Sequence, residues 1–145
     1  MRVLLDTDVV LDLILAREPF ARDAVELFDL AEAGAFEPYI SAITPLNIFY
    51  IARTAKAVRD LRHAIQMLLE RVGVCPVNKS ILTSALTLRF IDYEDAVQHS
   101  SATAESVDAI VTRNVRDYKN STLAVYTPED FLTRLKPGPA EQTED

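Results

Sequence analysis

Near the amino terminus, Arg2-Val3-Leu4-Leu5-Asp6-Thr7-Asp8 sets two carboxylates and a hydroxyl directly behind an apolar run. An apolar run of this length with turn chemistry after it reads as a buried strand. In an α/β sheet, ligands sit in the crevice outside the carboxyl ends of the strands, and Asp6 falls at such an end. Taken alone, Asp6 reads equally well as a helix cap or a turn residue. Chemistry therefore needs partners from elsewhere in the chain. Three further polar stations qualify: Asn47 on the first turn of a helix, Glu94-Asp95 opening another, and Asn114 with Asp117 behind the apolar Ala109-Ile110-Val111. Carboxylates brought together raise each other's pKa unless a cation compensates. Hard oxygen ligands suit Mg²⁺ or Mn²⁺, and magnesium sites use one or two carboxylates with waters completing the shell. Such an ion lowers the pKa of bound water and stabilises charge on a scissile phosphate.

The elements that must position these groups follow from pattern and punctuation. A short helix is expected over Val9 to Leu15, capped by Thr7 or Asp8. Ala24, Leu27, Phe28 and Ala31 recur at helical spacing within Ala21 to Ala33, with Gly34 as the stop. Glu37 to Ser41 reads as a strand. Thr44 as N-cap and Pro45 at the first position open a helix running through Leu46 to Thr54. From Val58 to Val72, the residues Leu61, Ala64, Ile65, Leu68, Leu69 and Val72 form an apolar stripe, and Gly73 ends the helix. Val74 to Val77 is a strand, Asn78 caps a helix over Lys79 to Arg89, and a polar helix covers Ala96 to Glu105. Ala109 to Thr112 and Leu123 to Tyr126 are strands separated by a polar loop over 113–120. Thr127 and Pro128 open the last helix, with early acidic residues that suit its macrodipole. Strands alternating with helices imply an α/β sandwich of three layers, with a short, mostly parallel central sheet. Residues 1–135 are expected to form one domain, and the Pro-, Gly- and acid-rich residues 136–145 a disordered tail.

Composition bounds the function. The 145 residues are 49% hydrophobic and 26% charged, as in an ordinary globular domain. The net charge of −7 argues against a protein that coats nucleic acid, yet allows an enzyme whose bound cations reverse the local field. No stretch approaches the roughly 20 apolar residues that span a bilayer. The first apolar run is broken by Asp6, Asp8 and Asp12, unlike a signal peptide. Cys75, the single cysteine, reads as a small core residue and points to a reducing, cytoplasmic setting.

The ordered set Val3-Leu4-Leu5-Asp6-Thr7-Asp8-Val9-Val10-Leu11-Asp12, Ile40-Ser41-Ala42-Ile43-Thr44, Tyr93-Glu94-Asp95-Ala96 and Asp108-Ala109-Ile110-Val111-Thr112-Arg113-Asn114, with Asp117-Tyr118 behind, resembles the PIN-domain family. In particular it is similar to the ribonuclease toxins of bacterial toxin–antitoxin pairs, over about Met1 to Leu135. The resemblance implies a Mg²⁺- or Mn²⁺-dependent endoribonuclease of the hydrolase class. Asp6 matches the first metal-binding Asp and Asp95 the central acidic residue. Asn114 stands where many members carry a further Asp, and Asp117 where an additional acid is common. Asn47 stands where many carry Glu, and Thr7 and Thr112 match hydroxyl positions beside the acidic cluster. Metal ligation is thus assigned to Asp6 and Asp95, and catalysis to these two with Asn114 and Asp117. Substrate contact is assigned to Thr7, Asn47, Thr112, Arg113 and Arg116. A cognate antitoxin and a homodimer, built on the helices from Leu46 to Val72, are implied in the same way.

The two asparagines remove two negative charges and weaken metal binding. A second reading follows: a PIN-like module that binds RNA or a partner without cutting. Asp8 replaces a common Asn and either restores a charge or caps the next helix. Asp108 reads as a turn residue and Asp12 as part of a solvated face. His63 and His99 have no companion at ligand spacing and are assigned to no metal. Arg113, Arg116 and Lys119 could position phosphates without reading sequence. Arg53, Lys56, Arg59 and Arg62 form a second basic group that meets solvent or an acidic partner. The Asp6-Thr7-Asp8 run also resembles the nucleophile motif of haloacid-dehalogenase-like phosphatases. That chemistry needs a Gly-Asp pair downstream, which these 145 residues lack.

Overall fold

In a computed structural model that describes residues 1–136, five parallel strands form one sheet. Strand β1 (Arg2–Leu5) leads into α1 (Thr7–Ile14) and α2 (Ala21–Glu32). Then come β2 (Glu37–Ser41), α3 (Thr44–Ala52), α4 (Val58–Arg71), β3 (Gly73–Cys75), α5 (Lys79–Ala85) and α6 (Tyr93–Ala104). Strand β4 (Ala109–Val111), a 3₁₀ turn (Val115–Tyr118), β5 (Ala124–Tyr126) and α7 (Pro128–Leu135) complete the order. Of the expected tail, Lys136 is described and pairs with Glu26 at 2.7 Å; the remainder lies outside the described residues.

Val3, Leu4 and Leu5 of β1 are all apolar and buried because both sheet faces are covered there. Successive side chains on a strand point to opposite faces. Val3 and Leu5 accordingly join Ile40, Val111, Leu27, Ile48, Leu61 and Phe131 in one core, under α1 to α4 and α7. Leu4 joins Ile110, Cys75, Ala102, Val107 and Tyr118 in the other. Burial pushes the Cys75 thiol up to about 12, consistent with an inert core residue.

Strand order is β3-β2-β1-β4-β5. The chain winds outward from β1 through β2 and β3, then returns to the other side of β1 for β4 and β5. The reversal opens a crevice between the carboxyl ends of β1 and β4, where such sheets bind ligands. The segments at that crevice are Asp6-Thr7-Asp8 and Thr112-Arg113-Asn114.

Several boundaries differ from expectation for identifiable reasons. Helix α3 already includes Thr44, Ile43 takes the cap position, and the buried Thr44 hydroxyl has no partner. Helix α6 starts at Tyr93, three residues early, because Asp92 is the cap and accepts from the Asp95 amide at 3.2 Å. Gly73 does not merely stop α4 but begins β3, where a Cβ would stand 2.4 Å from the Tyr39 ring. Leu69, placed in the α4 stripe, is 45% exposed. Gly34 does stop α2, with φ +89°.

Candidate functional site

The site is built from Asp6 outward. As the extended residue between β1 and α1, Asp6 caps the helix: its Oδ1 accepts from the Thr7 amide at 2.7 Å. The same Oδ1 accepts from Gln98 Nε2 at 2.9 Å, and Oδ2 accepts from the Thr112 hydroxyl at 2.8 Å. The cap reading and the site reading of Asp6 are therefore compatible. Thr112 directly follows β4, and its Oγ1 accepts in turn from the Asn114 amide at 3.0 Å. The Thr7 hydroxyl is buried without a protein partner.

Asp8, one residue inside α1, faces the loop after β4. Its Oδ2 accepts from the Arg113 amide at 3.1 Å and from Asn114 Nδ2 at 3.2 Å. Its Oδ1 is buried without a partner. Burial, and then the charge on Asp6, push the Asp8 carboxyl up to about 7, against the opposing pull of Arg113.

Asp95 reaches the same crevice from the first turn of α6. Tyr118 donates its hydroxyl to Asp95 Oδ1 at 3.3 Å, and Gln98 Nε2 lies 3.4 Å from that hydroxyl. Asp6 and Asp95, 89 positions apart in the chain, are thus linked through Gln98 and Tyr118. Burial first, then Asp6 and Asp92, push Asp95 up to about 7; the Tyr118 hydrogen bond pulls the other way and Asp117 adds to the rise. Glu94 is raised by burial, Asp92 and Asp6. Tyr118 is raised by its own burial and the carboxylates facing it. The charge on Asp6 contributes to the rise of Asp8, Glu94, Asp95 and Tyr118 alike, so titratable groups of three separate segments share one field.

The remaining assigned residues fall around this centre. Asn47, on the first turn of α3, donates to Glu94 Oε1 at 2.8 Å. Asp117 and Arg116 are exposed on the 3₁₀ turn. Arg113 turns its guanidinium inward: Nε lies 2.8 Å from Asp12 Oδ2 and the group stacks on Phe20 at 3.9 Å. Asp12 is not on a solvated face. It is 1% exposed and is also paired with Arg17 at 2.9 Å, because a buried carboxylate needs its cations. Asp108 behaves as expected of a turn residue, accepting from the Arg2 amide at 2.8 Å. His99 holds the loop before β5 by accepting from the Thr122 amide at 3.1 Å.

Gln98 and Tyr118 were missed as site residues. The available signal was the polarity of α6: a helix with Gln98, His99 and Ser101 all buried must spend those groups on partners. Toward a hard divalent cation the donors are right in kind, and the buried, unpartnered Asp8 Oδ1 is free to bind. In number they fall short: among the described residues, no three His, Cys, Asp or Glu side chains are grouped so as to hold a metal ion. Nor, among those residues, is any helix long and apolar enough to cross a membrane.

The family model described as PIN domain matches residues 2–116. No curated protein gives a significant match. Among solved structures, the chain is similar to a DNA-bound VapBC from Salmonella typhimurium, with a TM-score of 0.70, 18% identity, and coverage of 88% of this chain and 98% of that one. It is similar to VapBC2 from Rickettsia felis bound to a promoter DNA fragment, with a TM-score of 0.68, 19% identity, and coverage of 86% and 97%. A toxin–antitoxin complex from Klebsiella pneumoniae aligns with a TM-score of 0.66, 23% identity, and coverage of 87% and 97%. With a family model covering most of its length and a doubly wound sheet that gathers its acids at the β1–β4 crevice, the chain belongs to the PIN-domain family.

Proposed function

We propose that this chain is a PIN-fold module of the toxin–antitoxin kind. It binds RNA, or a small protein partner, at the β1–β4 rim, and its phosphodiester cleavage is weak or absent. The observation that carries the reading is how far the chain's own groups already occupy the rim. Asp6 holds three internal hydrogen bonds, Asp8 is taken by Arg113 and Asn114, and Asn47 spends its amide on Glu94. Asn47 and Asn114 act here as donors to acids rather than as further acids, in keeping with the finding that, among the described residues, no three metal-ligating side chains are grouped to hold an ion. Fold similarity to VapBC and other toxin–antitoxin complexes supports an antitoxin-like partner. The acting unit is the single domain over 1–135. Exposed Leu46, Tyr50 and Ile51 on α3 and Val58 on α4 offer a face for a second copy. The test is calorimetric titration with Mn²⁺ beside fluorescence anisotropy with single-stranded RNA. RNA binding with no heat of metal binding supports the module; strong heat abolished by Asp6→Asn rejects it.

A second reading, a metal-dependent endoribonuclease, is favoured by the rise of Asp8 and Asp95 to about 7. Acids that hold protons at neutral pH are those a divalent cation would relieve. Asp6 and Asp95 would hold Mg²⁺ or Mn²⁺, and the ion would supply a more acidic bound water and charge neutralisation at a scissile phosphate. This chain's part is positional: Thr112 and Gln98 fix Asp6, Tyr118 fixes Asp95, and Asn114 fixes Asp8. Thr7, Asn47, Arg113, Arg116 and Asp117 flank the substrate path. Cleavage leaving 3′-hydroxyl and 5′-phosphate ends, lost in Asp6→Asn, supports this reading; equal products from both proteins reject it.

A further inference from the structure

Beside the acidic rim lies a separate cleft of about 310 Å³, lined by Phe20, Asp23, Arg113, Asn114, Thr127, Pro128 and Glu129. Its walls are chemically mixed. Phe20 is 40% exposed and has the Arg113 guanidinium stacked on it at 3.9 Å, so one aromatic plane is already set. Arg113, the one cation in the lining, shares the buried Asp12 with Arg17, at 2.8 and 2.9 Å. Asp23 and Glu129 outnumber it, so the lining carries a net negative charge that disfavours a phosphate. Asn114 joins the cleft to the rim: it lines the former while its Nδ2 donates to Asp8 in the latter.

We propose that this cleft takes an unpaired nucleobase with adjacent N–H donors, guanine above all, next to a backbone phosphate lying on the rim. The proposal rests on the reading that the rim engages RNA, and it names what that site would select. Unpaired bases are recognised by stacking on aromatic or guanidinium planes and by hydrogen bonds to their edges. A base added to the Phe20–Arg113 stack gains that contact. Carboxylates accept from ring N–H and exocyclic amino groups, which guanine presents side by side and uracil does not. The cleft volume sits at the small end of ligand pockets, enough for one base and too little for a folded partner segment.

The cleft and the rim can be tested apart. Guanosine and uridine, as free nucleosides, are titrated into the labelled 145-residue chain, with the Phe20 ring and Asn114 side-chain amide followed by NMR. Guanosine is expected to shift both, with uridine at least about tenfold weaker, the scale of one good base-edge pairing. Glu129→Gln and Asp23→Asn, both outside the acidic rim, should reduce that ratio toward one. Phe20→Leu should weaken both nucleosides while leaving the fold intact. Equal shifts from both nucleosides, no shifts at all, or a ratio unchanged in both carboxylate variants would overturn the proposal. A fluorescein-labelled eight-residue oligouridine with one central guanine then reports on the rim. If guanosine occupies the cleft and the oligomer binds no tighter than the nucleoside, the base site stands and the RNA reading of the rim fails.

Discussion

Removing the Thr112 hydroxyl should cost far more than its size suggests. Thr112 is fully buried, its Oγ1 donates to Asp6 Oδ2 at 2.8 Å and accepts from the Asn114 amide at 3.0 Å. In Thr112→Val the shape is kept, so no cavity forms and the loss is polar. A hydrogen bond to a charged group contributes about 1.5–3 kcal/mol and a neutral one about 0.5–1.5 kcal/mol. Asp6 is 6% exposed, so water does not replace the first bond, whereas the exposed Asn114 can recover part of the second. The expected destabilisation is therefore about 2–3 kcal/mol. Thr112→Ser keeps both bonds and loses one methyl, for about 1 kcal/mol. Urea unfolding with a common slope should rank wild type above Ser above Val. In an Asp6→Asn background the acceptor is neutral, and Thr112→Val should cost about 1 kcal/mol less, a coupling that a double-mutant cycle measures directly. Valine as stable as serine, or zero coupling with residue 6, would refute the claim that the hydroxyl's role is to hold Asp6.

Other consequences are as direct. Asp8 and Asp95 are raised from ordinary carboxylate values to about 7 in the folded chain, so the native state binds more protons than the unfolded one between about pH 4 and 7. Their contribution to stability is fully present below about pH 4 and is lost as pH rises through 7. Unfolding curves for wild type and Asp95→Asn should therefore diverge over that window, with the variant gaining. In Asp6→Asn, the Asp95 titration followed by carbon NMR should move down from about 7, because the charge on Asp6 is one of its causes. His99 has the opposite sign: burial lowers it, so its contribution is present above about pH 6.5 and is lost on acidification. The Thr122 amide, which donates to His99 Nε2, should shift in that lower window. Asp12→Asn should cost about 2 kcal/mol by calorimetric melting, since Arg17 and Arg113 both lose a charged acceptor while staying partly solvated.

Much of the architecture is legible because local signals agree. The uninterrupted Val3-Leu4-Leu5 run requires a sheet covered on both faces, and Thr127-Pro128 sets the start of α7. Four acidic or amide stations placed at strand ends and helix starts did meet around one crevice. What escaped sequence reasoning depended on who pairs with whom. Asp92 and Asp95 are equally good caps in a string, and only the fold decides that Asp92 turns toward the helix end and frees Asp95 for Tyr118. Asp12 looked like surface because its two arginine partners come from positions 17 and 113. Gln98 carries no motif, and Tyr118 stands in one only as the residue behind Asp117; their importance lies in bridging two acids distant in the chain. Gly73 looked like a helix stop, while its missing side chain is what lets Tyr39 lie against β3.

The most direct test of the central claim incubates an end-labelled single-stranded RNA with wild type and with Asp6→Asn, each with Mn²⁺ and with chelator, scoring bound and cut RNA from the same samples. A rim that holds nucleic acid but has most of its acids engaged predicts retention of the label by wild type, with no more fragments than the variant yields. Rapid, chelator-sensitive fragmentation by wild type alone would contradict it and make the second, nuclease reading the correct one.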